Sequence, residues 1–286
     1  MKKLLTALIV AMIALGLVAC GGVEEEGAPA ADNAGVRTVD EIKKSGEITI
    51  GVFGDKKPFG YMDEKGEFQG YDIALGNRIA EELGVKVKYV PVEAASRVEY
   101  LNANKIDLLL ANFTVTPERK EQVDFALPYM KVSLGVVSPK GEITDVAQLK
   151  DKTLIISKGT TAETYFTEEH PEIKLQKYDQ YAEAYSALLD GRGDAMSTDN
   201  TEVLAWALEN DGYDVGIKTL GDVDYIAPAV KKGNQEMLDF VNGVIEKLYG
   251  EKFFTKAFQD TLAPTYGDAA KPEDMVVEEK PEGYLQ

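Results

Sequence analysis

The sequence predicts an α/β protein of two lobes, each an open, mainly parallel sheet flanked by helices. Three observations predict it. Short apolar runs alternate with segments of helical spacing, the pattern of βαβ units. The alternation occurs twice, over residues 47–112 and again over 153–208. The two sets also echo each other. When Asp107 is laid on Asp194, Leu101 falls on Leu188, Asn112 on Asp199 and Thr114 on Thr201.

Residues 1–20 come before either set. Lys2 and Lys3 precede an apolar run from Leu4 to Ala19 that ends at Cys20, the charged and apolar regions of a secretory signal, too short for a membrane span. Cys20 is the only cysteine, so no internal disulfide can form. The stretch Leu17-Val18-Ala19-Cys20-Gly21 resembles a bacterial lipobox, which implies that Cys20 becomes the lipidated N-terminus after cleavage. An exported protein is expected, lipid-anchored at the outer face of the cell membrane or in the periplasm. Residues 21–35 carry Glu24-Glu25-Glu26 among Gly, Ala and Pro and read as a flexible tether. The folded body should begin near Val36.

In the first set Glu47–Phe53 reads as a strand, Tyr71–Leu83 as a helix stopped by Gly84, Val85–Val92 as a strand, Arg97–Ala103 as a helix and Asp107–Asn112 as a strand. The second set is strand Thr153–Ser157, a helix from Thr161, strand Ile173–Tyr178, helix Tyr181–Leu189, strand Asp194–Asp199 and a helix through Trp206, whose indole should pack between elements. Helices are expected around Glu236–Leu248 and Phe253–Leu262.

Charge limits the partners. The chain of 286 residues is 44% hydrophobic and carries a formal charge of −18, which becomes −20 once Lys2 and Lys3 are removed. A surface that acidic repels nucleic acid and anionic headgroups. The only histidine, His170, precedes Pro171, so neither a histidine-based triad nor a multi-histidine metal site can be built. No GxxxxGK[ST] phosphate loop is present, so ATP hydrolysis would belong to a partner. Neither a cofactor nor a metal is implied.

The stretch "ANFTVTPERK", residues 111–120, then raises a question of charge. Thr116 followed by Pro117 reads as an N-cap and first helical residue, which puts Arg119 in the first turn, where a cation opposes the helix dipole. A small anion would resolve this. Ligands of open α/β sheets sit outside the carboxyl ends of strands. That rule puts Asn112, Thr114 and Arg119 on one wall of a cleft and Asp199 on the other. A cation facing an anion suits a zwitterion, its carboxylate forked by Arg119 and its ammonium on Asp199. Gly159-Thr160-Thr161 opens a helix after a strand and would aim backbone N–H groups at the same carboxylate. The alternatives are an ion pair of Arg119 with Glu121 or Asp124, and an N-cap role for Asp199.

The runs "GVFGDKKPFGYMDEKGEFQGYDIAL", "KIDLLLANFTVTPERKEQVDFALPYM", "LKDKTLIISKGTTAETYF" and "LLDGRGDAMSTDN" resemble bacterial extracellular solute-binding proteins of polar amino-acid ABC importers. The likeness spans about Val36 to Asp268. It implies a type II periplasmic-binding fold with crossovers near Lys131–Gly135 and Asp222–Ala227. Residues 36–132 and 226–286 would form one lobe and 133–225 the other. It also implies that Arg119, Thr114 and Thr161 hold an α-carboxylate and Asp199 an α-ammonium. The partners would be a free L-amino acid and an ABC permease, and the protein a monomer.

Within the family, "VEAASRVEYL", "ANFTVTPER" and "PYMKVSLGVVSPKG" look closest to the cysteine-binding lipoproteins. Arg97, near the cleft, points the other way when read alone, toward an aspartate or glutamate ligand; its alternative is pairing with Glu93 or Glu99. Phe53, Phe59 and Tyr61 would pack on ligand or in the core, and Lys56 and Lys57 would line the wall or be solvated. A dehydratase on the same fold, with Asp199 or Glu163 as general acid, is the reading from another class. A surface adhesin or antigen is a third.

Overall fold

The computed structural model describes residues 35–284. Cys20, the signal and all of the expected tether except Gly35 lie outside the described residues. Two five-stranded sheets carry the fold. The first is ordered Lys86–Pro91, Glu47–Val52, Leu108–Leu109, Ala229–Lys231, Val123–Phe125. Its first three strands are parallel, and Ala229–Lys231 pairs antiparallel with both neighbours. The second is ordered Lys174–Tyr178, Thr153–Ser157, Ala195–Asp199, Met130–Pro139, Tyr213–Ile226, with three parallel strands and two long antiparallel ones. Leu154, Ile155 and Ile156 are fully buried in succession, as a strand covered on both faces requires.

Helices flank these sheets because each buries an apolar stripe against a sheet face. Tyr71–Leu83 buries Ile73, Leu75, Gly76, Ile79, Ala80 and Leu83, and ends where Gly84 takes φ 72° and its N–H reaches the carbonyls of Ala80 and Glu81. The later helices run Thr161–Glu168, Tyr181–Leu189, Asn200–Glu209, Gln235–Gly250 and Phe253–Thr261. Trp206 stacks on Tyr185 at 4.8 Å and meets Tyr213 edge-on.

The internal echo is physical. Asp107 Oδ2 accepts the Thr49 N–H at 2.7 Å and Asp107 N–H returns to Thr49 O at 2.8 Å. Asp194 and Thr153 exchange the same two bonds at 2.7 and 2.8 Å. In each lobe one aspartate thus pins the start of the inner strand to its neighbour.

Both expected crossovers fall in one ladder, where Met130, Lys131 and Val132 face Ile226, Tyr225 and Asp224. Three expectations need correction. The strand expected over Asp107–Asn112 pairs only at Leu108–Leu109, because Asn112 turns the chain with φ 43°. The helix opened by Pro117 is one turn, Pro117–Lys120, so its dipole is slight. A small sheet of Asp55–Lys56, Gly60–Met62 and Phe68–Gln69 lies in a segment with no expected strand.

Candidate ligand-binding cleft

Thr116 caps its short helix, accepting the Arg119 N–H at 3.3 Å, and the guanidinium turns back along the chain. Arg119 Nη1 donates to Thr114 O at 2.8 Å and Nη2 to Gly159 O at 3.0 Å. Arg97 arrives from the other side: Nε donates to Ala94 O at 2.9 Å, Nη1 to Ala111 O at 3.0 Å and Nη2 to Gly159 O at 2.9 Å. One carbonyl therefore holds two guanidiniums. Both guanidinium carbons lie 4.5 Å from the centroid of the Phe113 ring.

Among the described residues neither arginine forms an ion pair. Glu99 pairs with Lys105 and Asp124 with Lys232, so one of the two surface partners considered for each arginine is taken. Burial pushes Arg119 down to about 9, with Arg97 adding repulsion, and burial pushes Arg97 down to about 10. Both stay protonated at neutral pH. Two adjacent, desolvated cations resting on backbone carbonyls make a strong site for a carboxylate.

The opposite wall centres on Asp199, 5% exposed. It stands at the N-cap position of its helix but its side chain makes no cap bond. Its Oδ2 instead accepts from Lys56 Nζ at 2.6 Å. Glu202 Oε2 lies 3.3 Å from the same ammonium. Burial lifts Glu202 to about 7, while Lys56 pulls it the other way.

The other expected positions divide. Thr161 and Gly159 line a cavity of about 320 Å³ together with Arg119, Thr164, Tyr165 and Asp224. Asn112 is buried: its N–H donates to Asp72 at 2.9 Å, and its Oδ1 has no hydrogen-bond partner. Gly159 departs from expectation, since its N–H is bound by Glu163 Oε2 at 2.6 Å and its carbonyl does the work instead. The helix that follows supplies that blocking carboxylate from its own first turn. Phe59 is fully buried, and its ring backs Lys56 at 6.0 Å rather than facing open cleft. Lys57 is exposed and pairs with Glu209.

Residues 48–260 match the bacterial extracellular solute-binding proteins, family 3. The chain belongs to this family. The glutamine-binding protein of a Bacillus subtilis ABC transporter is 30% identical over 265 residues, 91% of this chain and 97% of that protein. The solved L-cysteine solute receptor of Neisseria gonorrhoeae is 53% identical with a TM-score of 0.83, covering 84% of this chain and all of that one. The solved cysteine-binding protein of Campylobacter jejuni is 57% identical at the same TM-score, covering 84% and 99%.

In this solute-binding protein Glu202, Tyr181 and Phe113 pack against Lys56 and the two arginines without having been singled out as site residues from the sequence. Lys56, expected to line the wall or be solvated, is 1% exposed, which removes the solvated alternative. One signal was available. Lys56 lies between Phe53 and Phe59, and a lysine flanked by aromatics has ring faces on which to bury its charge.

Proposed function

We propose that this chain captures a free L-amino acid, cysteine first, between its lobes and presents it to the permease of an ABC importer. The observation that carries the reading is the pair of buried, carbonyl-bound guanidiniums, Arg97 and Arg119, set in the same cleft as the Asp199 carboxylate. A zwitterion satisfies both ends at once. Arg119, Thr114 and Thr161 hold the α-carboxylate and Asp199 the α-ammonium, with Asn112, Gly159 and Arg97 shaping the pocket and Phe59 behind it. Contact with both lobes favours the closed form, which is what a permease can read.

Cysteine is favoured over an acidic amino acid on two supports. The cysteine-binding proteins of Neisseria gonorrhoeae and Campylobacter jejuni share more than half of their aligned residues with this chain. Three of the four contacts that fix Arg97 and Arg119 to Gly159 and the 94–111 segment belong to Arg97, so its guanidinium is largely committed to carbonyls. It has little left for a second carboxylate.

The reading assigns residues 36–132 and 226–286 to one lobe and 133–225 to the other. The chain works as a monomer, tethered through a lipid on Cys20. It performs no chemistry: Asp199 is paired with Lys56, and Glu163 is held by Gly159 N–H and Lys177, so neither is a free general acid. A thermal-shift screen of the mature chain against the common amino acids and cystine tests this. Ligand at about a thousand times its Kd adds roughly 4 kcal/mol. A shift with cysteine under reducing conditions supports the reading, and no shift with any amino acid overturns it.

A further inference from the structure

Lys56 sits in surroundings built for a cation. Its Nζ lies 2.6 Å from Asp199 Oδ2 and 3.3 Å from Glu202 Oε2. The same atom stands 4.8, 5.5 and 6.0 Å from the ring centroids of Tyr181, Phe53 and Phe59. Ring faces together with carboxylates are the chemistry that recognises an alkylammonium. Here the chain supplies the alkylammonium itself.

The lysine is also held in register by its neighbours. Asp55 Oδ2 accepts the Ala182 N–H at 3.1 Å, and Lys57 Nζ reaches Glu209 at 2.7 Å. Three consecutive residues thus bind the second sheet's helices, and Lys56 is the middle one. Burial by itself would lower its pKa, but Asp199, then Tyr181 and Glu202, outweigh this and raise it. The ammonium stays charged.

We propose that Lys56 is a specificity-determining residue, whose ammonium fills a cation cage of Tyr181, Phe53, Phe59, Asp199 and Glu202 and thereby excludes amino acids with cationic side chains. The proposal rests on the amino-acid-binding reading of the cleft. The α-ammonium of a neutral ligand needs one carboxylate and can take Asp199 while Lys56 keeps Glu202. A lysine, ornithine or arginine ligand brings a second cation, which meets Lys56 already on both carboxylates in a desolvated space. Deleting the Lys56 side chain frees both the volume and the charges.

Isothermal titration of wild type, Lys56→Ala and Lys56→Ala/Glu202→Gln with cysteine, lysine, ornithine and arginine tests it. Lys56→Ala is expected to bind at least one of the cationic amino acids about tenfold or more tighter than wild type. The double variant should lose that gain, because one of the two carboxylates is neutral. A cooperatively folded Lys56→Ala that takes none of the cations overturns the proposal, as does a wild type that takes them equally well. Chemical rescue gives a second readout: n-butylammonium should raise the thermal transition of Lys56→Ala and leave wild type unmoved. If Lys56→Ala folds only with n-butylammonium present, the cage is supported. If it stays unfolded even then, while the isosteric Lys56→Met folds, the cage is refuted. A wild type that binds no amino acid at all would sink the reading of the cleft instead, and the n-butylammonium measurement would still judge the cage.

Discussion

Gly159 and Ala95 meet backbone to backbone across the cleft: a Cβ on Gly159 would stand 2.5 Å from Ala95 Cα and 2.7 Å from its nitrogen. Gly159 also holds φ at +72°, where a side chain is strained. The same residue offers the carbonyl that both arginines bind. Gly159→Ala is therefore expected to keep the lobes from closing fully. Overpacking of this kind costs about 1–3 kcal/mol, so amino-acid affinity should fall about fivefold or more. Small-angle scattering with saturating cysteine would show a larger radius than wild type, and an equal radius with equal affinity would contradict the contact's role.

Arg119→Ala should abolish binding of every amino acid that wild type recognises. The α-carboxylate is common to all of them, and losing its buried charge partner costs on the order of 2–5 kcal/mol. Arg119→Lys should also bind weakly, since a point charge cannot both fork a carboxylate and donate to Thr114 O and Gly159 O. Calorimetry returning near wild-type affinity would make Arg119 a purely structural tie.

Arg97 separates the ligand classes. Wild type should bind cysteine, titrated under reducing conditions, more tightly than glutamate or aspartate. Arg97→Ala should weaken cysteine binding less than Arg119→Ala does, because its guanidinium is spent mainly on Ala94, Ala111 and Gly159 carbonyls. Tighter binding of glutamate than cysteine by wild type, lost in Arg97→Ala, would transfer the assignment to an acidic amino acid.

Asp72 gives a pH prediction. Burial lifts its pKa from the ordinary 3.8 to about 7, against hydrogen bonds from Tyr129 OH at 2.7 Å and Asn112 N–H at 2.9 Å that favour the ionised form. A carboxyl raised in the folded state binds its proton more tightly there than in the unfolded chain. Its contribution is fully present below about pH 4 and is lost as pH rises through about 7. Relative to Asp72→Asn, wild type should lose on the order of 3–4 kcal/mol of stability between pH 4 and pH 8. Urea unfolding across that range would check it, and parallel curves for the two proteins would mean that Asp72 does not titrate there.

Cys20→Ala should move the protein from the membrane to the soluble fraction while leaving affinity for its amino acid unchanged, since the anchor lies well before the folded body. Fractionation followed by titration of the purified variant measures both. A variant still in the membrane fraction would remove the lipid from Cys20.

The sequence was most legible where the physics is local. Thr116 with Pro117 announced a helix start, Gly84 a helix stop, and the apolar run Leu154–Ile156 a strand. The Asp107 and Asp194 echo was legible because each aspartate performs the same task at the same distance past a helix end, pinning Thr49 and Thr153. The arginine at 119 could be singled out as a cation in need of an anion. Its second partner could not, because the Gly159 carbonyl lies forty residues away.

By itself, then, the sequence determined the α/β alternation, the two-fold repeat and the acidic composition, and it singled out Arg119 and Asp199 as candidates for a ligand's two charges. Tertiary structure decided the pairings. Lys56 on Asp199, and the Gly159 carbonyl under both Arg97 and Arg119, join residues at least forty positions apart. Spacing and periodicity report only neighbours within a few turns or along one strand. Which distant charge a buried lysine meets depends on how two sheets close on each other, and in a desolvated cleft that partner fixes both its charge state and what else can enter.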